Sequence, residues 1–484
     1  MTFFEQCKKM AYSDPDSAAF VWRKGKTILT RSHLETCRDL NRVYCFYAAG
    51  SYRRVGILGE NSYNWIMNAW GMVLAGLTTA LMDPLLPADQ LAQAVQLTKL
   101  EALFCSEDIM ELGEEIAALV PGIKILPMMA AEGSASESIG EESMPEPISE
   151  LKSGDYIYFT SGSTRRSKAV VAPFAAAEGS AESLLDVYYC RKGWPAYNPL
   201  PYHHAFGHGM LLSLYMAGCP IMLGSVNKIK QDLKIFEPEL FVGVPSILKY
   251  ALDKNIFPAG LKGVIVAGGV CSPKLAEQAA LRGIKVQNMY GSSETAGGIA
   301  INLPDVPVDI MTPYKEFAVE VLDSGELKIS SPFMFKEYYG MPDVTAQVLD
   351  GGWFMTGDLG YLDEQGCLHL QGRKKDTLIL DNGEKIFCPD IDEVLSSLEG
   401  VKEGLILCAD SRLAAVLHPE SPETADIARK ALEQYNLTQP HGRRIQECRM
   451  YYRDFPRTSS GKILRRVVEE EYPLLMDGVA SSEK

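Results

Sequence analysis

Residues Tyr156 to Lys168 read YIYFTSGSTRRSK. Tyr156 to Phe159 has the continuous apolar character of a buried strand. Thr160, Ser161, Gly162, Ser163, Thr164, Arg165, Arg166, Ser167 and Lys168 follow at once, so hydroxyls and cations are concentrated directly beyond the strand. Such a segment can wrap a polyphosphate with backbone N–H groups, hydroxyl donors and the charges of Arg165, Arg166 and Lys168. The plain alternative is a solvated polar loop. The Gly-Lys-Ser/Thr ending of the usual nucleotide-triphosphatase loop is absent.

Outward from this stretch, strand-like runs such as Val55 to Leu58, Ala102 to Cys105 and Val264 to Ala267 alternate with helical stretches such as Lys274 to Ala280. That rhythm predicts α/β layers. The uncharged run Asn61 to Met82 has the length of a membrane span, but Asn61, Asn64, Asn68, Gly71, Gly76, Thr78 and Thr79 interrupt it. It reads as a buried helix running into a strand. Ala130 to Asp155 is small, acidic and rich in Pro, Gly and Ser, the composition of an exposed connection. Further on, a turn over Asp363 to Gly366 and a strand over Cys367 to Leu370 lead into Gly372, Arg373, Lys374, Lys375 and Asp376, a charged stretch that suits a domain boundary. Beyond it, a strand at Leu378 to Leu380, a turn at Asp381 to Gly383, a helix from about Ile391 to Leu398 and a strand at Gly404 to Cys408 predict a small α+β unit.

The 484 residues carry 47 Lys+Arg against 62 Asp+Glu, a formal charge of −15, with 46% hydrophobic residues. This is globular composition, long enough for several compact units. An acidic balance without a long basic stripe argues against nucleic acid as the main partner, because duplex binding depends on neutralising phosphates, while a local basic cluster could still hold a small anion. The eleven cysteines are scattered, with no CxxC pair, and read as reduced thiols of a cytoplasmic protein. The N-terminus lacks an apolar stretch of signal-peptide length.

Four further segments sharpen the reading: YGSSET at Tyr290 to Thr295, WFMTGD at Trp353 to Asp358, GRKKD at Gly372 to Asp376 and PRTSSGKILRR at Pro456 to Arg466. In this order, with TSGST before them, they resemble the acyl-adenylate-forming superfamily of acyl-CoA synthetases, carrier-loading adenylation domains and firefly-type luciferases. Gly59 to Pro84 also looks like the early region of these enzymes. The resemblance spans nearly the whole chain. It implies an α/β fold with a large layered N-terminal domain, residues 1–374, and a small mobile α+β C-terminal domain, residues 375–484. It also implies a two-step reaction: a carboxylate joins AMP with release of pyrophosphate, and the acyl group then passes to a thiol.

The resemblance further implies residue roles. Lys462, on a Ser-Ser-Gly loop, stands at the catalytic position, where its ammonium would offset charge between carboxylate and α-phosphate; taken alone it reads as a solvated lysine. Thr160, Ser161, Gly162, Ser163, Thr164 and Lys168 would hold the ATP phosphates. Glu294, with Thr160, would hold Mg²⁺, and Tyr290 would offer a face to adenine. Asp358 would accept hydrogen bonds from the ribose hydroxyls, with Arg373 reaching the ribose too, and Lys375 falls at the hinge position. In PYHHAFG, at Pro201 to Gly207, His204 stands at the family's His or aromatic position, and with Phe206, Gly207 and Gly269 it would line the acyl pocket; core packing is the competing reading. His203, His204 and His208 have no zinc-ligand spacing and are not read as a metal site.

The phosphate loop departs from the family, which usually carries glycine at Arg165, proline at Ser167 and glycine at Ala169. Glycine gives backbone freedom there, so Arg165 would either stiffen the loop or send it along a different path around the phosphates, with the added positive charge compensating by binding phosphate oxygens directly. No acid stands in PYHHAFG to pair with a substrate ammonium, so an acid without an α-amine, fatty or aryl, fits better. The expectation is an ATP- and Mg²⁺-dependent ligase with CoA as acceptor. Carrier-bound phosphopantetheine is the rival acceptor, and an acyl carrier protein would then be a partner. A nucleotide- or acyl-binding protein with impaired catalysis is the reading from another class.

Overall fold

The computed structural model describes residues 2–132, 153–160, 168–185, 187, 189–269, 271–379, 385–409, 412–440, 443–457 and 463–475. The chain forms two compact units. The first comprises Met1–Glu320, Ile329–Phe354 and Leu362–His369; the second comprises Val321–Lys328, Met355–Tyr361 and Leu370–Lys484.

In the first unit, one sheet runs Glu337–Tyr338, Lys168–Pro173, Asp155–Thr160, Thr78–Met82, Arg54–Leu58, Ala102–Cys105 and Lys124–Pro127, in that spatial order. From Asp155–Thr160 to Lys124–Pro127 the neighbouring strands are parallel, with Val55 paired to Thr79 and to Ala102. Val55, Gly56, Ile57 and Leu58 are all buried, the continuous apolar run expected of a strand covered on both faces. A second sheet of nine strands extends from Thr312–Pro313 to Thr27–Ser32, with Leu240–Gly243, Gly263–Ala267 and Lys285–Ser292 adjacent and parallel near its middle.

Helix Tyr63–Leu74 and strand Thr78–Met82 occupy the uncharged run, as the polar interruptions imply. Ser62 caps the helix by accepting from the Trp65 N–H at 3.1 Å. The helix is buried on nearly every side. Among the described residues, no helix is long and apolar enough to cross a membrane. Helix Ala205–Met216 is likewise buried nearly all round. It packs on Ala196–Asn198 of the nine-stranded sheet and reaches the other sheet through His208, whose Nδ1 lies 2.9 Å from the Tyr158 hydroxyl. The two sheets therefore share a helical layer between them.

In the second unit, strand Val401–Ala409 pairs antiparallel with Arg412–Pro419, which pairs parallel with Glu447–Met450. Leu405 and Leu407 face one apolar cluster and Ile406 the other, the two-residue alternation of a sheet covered on both sides. The helix expected from Ile391 starts earlier, at Cys388, and runs to Ser396. Pro389 explains the difference: near the start its fixed φ suits the first turn and its missing N–H costs nothing. The connection around Ala130 to Asp155 falls largely outside the described residues, as does the turn at Asp381 to Gly383.

Candidate active site

Strand Asp155–Thr160 is buried at Tyr156, Ile157 and Tyr158. It pairs antiparallel with Lys168–Pro173, from Asp155 opposite Pro173 to Thr160 opposite Lys168. The hydroxyl- and cation-rich segment is thus the connection of a core hairpin, returning to a strand and not to a helix. Ser161, Gly162, Ser163 and Thr164 lie outside the described residues, with Arg165 and Ser167. Ala169 is fully buried opposite Phe159. Its methyl packs in the core under the hairpin, and the backbone there is ordinary strand.

A cation, a phenol and a carboxylate meet at the base of this hairpin. The Lys168 ammonium sits 4.3 Å from the centroid of the Tyr338 ring, a cation–π contact. The Tyr338 hydroxyl donates to Glu294 Oε1 at 2.8 Å. Burial, and then the neighbouring Glu294 carboxylate, push the Tyr338 hydroxyl pKa up, so it remains a protonated donor. Tyr338 is placed by strand Glu337–Tyr338, which pairs with Lys168–Pro173, Tyr338 standing opposite Val170. Glu294 lies in the 3₁₀ turn Ser293–Thr295, half-buried, and its carbonyl accepts from the Phe335 N–H at 2.7 Å. The turn is locked by Thr295, whose hydroxyl donates to the carbonyls of Ser292 and Gly297 at 3.0 and 2.9 Å.

Tyr290 is buried on strand Lys285–Ser292, and the register with Gly297–Ile301 slips directly after it. Such a bulge re-aims the side chains around it. His204 is the N-cap residue of helix Ala205–Met216 and is half-buried, as is Phe206. The chain before the helix is pinned by Asn61, whose Oδ1 accepts from the Tyr202 N–H at 3.0 Å and whose amide donates to the Leu200 carbonyl at 2.8 Å. Gly207 is required where it stands: a Cβ there would lie 2.3 Å from the Pro201 carbonyl oxygen. Gly269 is exposed, and Val270 lies outside the described residues. His208 is fully buried, and burial pushes its pKa down to about 3, so it is a neutral core residue.

In the second unit, Arg373 Nε lies 2.9 Å from Asp358 Oδ1, and Lys374 Nζ lies 3.0 Å from Glu326 Oε2. Asp358 is buried, whereas Arg373 is about half exposed. The Asp358 backbone N–H donates to the Thr356 hydroxyl at 3.0 Å, and that hydroxyl donates to the Leu327 carbonyl at 2.9 Å. Lys375 lies in the short 3₁₀ turn Lys374–Asp376. Just before it, Gly372 has φ +124°, and a Cβ there would lie 1.7 Å from the Phe387 ring. Lys462 is outside the described residues, but both ends of its segment are tied down. Arg457 bridges to Ile463, and the Leu464 N–H donates to the Pro456 carbonyl at 2.7 Å. Arg465 pairs with Asp392, which also accepts from the Ile406 N–H at 2.7 Å. Burial pushes the Asp392 carboxyl up to about 7, with Arg465 acting against it.

The structure brings together Lys168 and Glu294 in one unit and Asp358 and Arg373 in the other. Tyr338 was missed in the sequence because SPFMFKEYYG has no motif of its own. The density of aromatics before Gly340, just upstream of WFMTGD, was the available signal.

The AMP-binding enzyme family matches residues 8–339, and the chain belongs to that family. Its fold is that of the acyl-adenylate-forming enzymes. Among curated relatives, the 2-succinylbenzoate–CoA ligase of Enterococcus faecalis is 24% identical over 96% of this chain and 98% of its own length. The solved anthranilate CoA ligase in complex with anthranoyl-AMP matches with a TM-score of 0.83 at 16% identity, covering 98% of both chains. The O-succinylbenzoate coenzyme A synthetase of Bacillus subtilis, in complex with AMP, matches with a TM-score of 0.79 at 20% identity, covering 96% of this chain and 97% of that one.

Proposed function

We propose that this chain is an ATP- and Mg²⁺-dependent ligase that converts an apolar carboxylic acid, an aryl acid before a fatty one, to its acyl-adenylate and passes the acyl group to CoA. The observation that carries the proposal is the Lys168–Tyr338–Glu294 cluster at the base of the TSGST hairpin. The relatives named as CoA ligases of aromatic acids support the choice of acid and acceptor, and the cysteine pattern suits a cytoplasmic setting.

The donor set suits the metal. Glu294 and Thr160 offer hard oxygens, the kind of ligand Mg²⁺ takes alongside substrate phosphates. Bound there, the ion would neutralise charge on the phosphate oxygens. Lys168 adds a fixed cation, and Tyr338 orients Glu294 by donating to one of its oxygens. Ser161, Gly162, Ser163 and Thr164 cradle the phosphates in this reading, and Tyr290 faces the adenine. Asp358 takes the ribose hydroxyls with Arg373 beside it, and Lys462 offsets charge as the carboxylate attacks. His204, Phe206, Gly207 and Gly269 line the acyl pocket. The C-terminal domain, residues 375–484, turns about Lys375 between the two half-reactions.

Pyrophosphate release across a panel of aryl, fatty and amino acids, followed by CoA or a phosphopantetheinylated carrier as separate acceptors, tests the proposal. Turnover with an aryl acid and CoA is expected. Turnover only with the carrier would make the chain a carrier-loading enzyme. The altered loop at Arg165 and Ser167 favours one second reading, a nucleotide- or acyl-binding protein without turnover. ATP binding by calorimetry with no pyrophosphate released from any acid would establish it and overturn the ligase.

A further inference from the structure

Spacing along the chain gives no metal-ligand pattern around PYHHAFG, but folding supplies a third group. Asp83, at the end of strand Thr78–Met82, joins His203 and His204, and one ligand atom from each lies within 4.8 Å of the others. We propose that Asp83, His203 and His204 bind a divalent first-row transition ion, with a coordination position left for water.

Three observations carry this. His203 Nε2 lies 3.5 Å from Asp83 Oδ1, close to the roughly 3.3–3.4 Å edge of a tetrahedron whose ligand bonds are about 2.0–2.1 Å. His203 is only 7% exposed, and its buried Nε2 has the Asp83 carboxylate as a polar neighbour but makes no hydrogen bond to it. A buried polar atom left this way is costly, and a metal ion would satisfy it. The scaffold is also rigid. Asp83 Oδ1 accepts from the Leu85 N–H at 3.0 Å, an outer contact of the kind that orients a ligating carboxylate. His204 is held through its backbone, its N–H donating to the Pro201 carbonyl at 3.3 Å and its carbonyl accepting from the His208 N–H at 2.9 Å.

The donor set selects the ion. Two imidazoles and one carboxylate suit Zn²⁺, Co²⁺ or Fe²⁺, whereas Mg²⁺ prefers six oxygens. The site is therefore different in chemistry from the oxygen ligands at Glu294 and Thr160. His204 lies at a helix N-terminus, whose partial positive charge opposes a cation. The Asp83 carboxylate supplies the offsetting charge.

The test uses tag-free, chelator-stripped full-length protein without ATP or acid, so its failure is separate from failure of the ligase reading. Titration with Co²⁺ should give one equivalent with the intense visible bands of low-coordinate cobalt, and Zn²⁺ should displace it while excess Mg²⁺ does not. His203→Phe should weaken Zn²⁺ binding by more than the roughly 10- to 100-fold that losing an outer-shell partner costs. Unchanged Zn²⁺ affinity in that variant, or octahedral cobalt bands in the wild type, overturns the proposal. If His203→Phe does not fold by circular dichroism, Asp83→Asn takes its place, with the same loss expected and the same overturning result.

Discussion

Tyr338→Phe isolates a single contact at the candidate phosphate site. The substitution keeps the ring on which the Lys168 ammonium rests at 4.3 Å and removes only the hydroxyl that donates to Glu294 at 2.8 Å. A hydrogen bond to a charged group contributes about 1.5–3 kcal/mol. Glu294 is half-buried, so water replaces part of the lost interaction and the lower end applies. About 1.4 kcal/mol corresponds to tenfold in rate, so kcat/KM for ATP should fall about tenfold. Tyr338→Leu also removes the cation–π contact; with the ring buried and Lys168 half-buried that contact contributes about 1–2 kcal/mol, and a further roughly five- to thirtyfold should be lost. The assay is pyrophosphate release at varied Mg²⁺ and fixed ATP, with Glu294→Gln as the reference for a lost metal ligand. Tyr338→Phe should raise the Mg²⁺ concentration needed for half-maximal rate. If Glu294→Gln abolishes activity while Tyr338→Phe leaves the Mg²⁺ dependence unchanged, Tyr338 only packs, and the argument that it orients the carboxylate fails.

Three further outcomes follow from the same reasoning. Lys462→Ala should abolish pyrophosphate release yet largely spare thioester formation from a supplied acyl-adenylate; equal loss of both steps counts against its role in the first. Gly372→Ala places a Cβ against the Phe387 ring at φ +124° and should destabilise the second unit by at least about 1–3 kcal/mol, read as a lowered thermal midpoint; an unshifted midpoint contradicts the packing described. His208 is held neutral by burial, with its pKa pushed down to about 3, whereas the unfolded chain protonates it below about 6.5. Its contribution to stability is therefore complete above about 6.5 and is lost as pH falls towards 3. Near pH 5 the loss is about 2 kcal/mol. Denaturation at pH 7.5 and 5.0 checks this, since His208→Leu should lack that acid-dependent share, and an equal loss in variant and wild type refutes it.

Much of the fold was legible because its strands are short, apolar and buried on both faces. Ala102–Cys105 fell where expected, and Arg54–Leu58 and Gly263–Ala267 each began one residue earlier. Helix Tyr63–Leu74 was legible for another reason. Its asparagines and glycine spoke against lipid, and Asn68 in fact bonds the Asn64 carbonyl at 2.8 Å and the Met129 carbonyl at 2.9 Å in the protein interior. The start of helix Cys388–Ser396 was misplaced because the apolar period begins after the proline, while the first turn is set by Pro389 and needs no apolar residue.

The site was legible only where its chemistry is concentrated in one stretch. Thr160 and Lys168 are adjacent across a hairpin because their strands are adjacent in sequence, so a reading of TSGST already contains their proximity. Tyr338 reaches Glu294 only because a two-residue strand, Glu337–Tyr338, adds to the outer edge of the same hairpin. A strand that short has no periodicity to detect. Asp83 meets His203 for a similar reason: the end of a parallel strand is carried to the start of a helix from a distant part of the chain. In both cases the partner is supplied by tertiary arrangement, sheet order for Tyr338 and the packing of a helix start against a strand end for Asp83, a long-range property that local pattern does not encode. Residues that orient other residues are therefore the ones most easily missed, since they need no motif, only a place at the correct edge of a sheet.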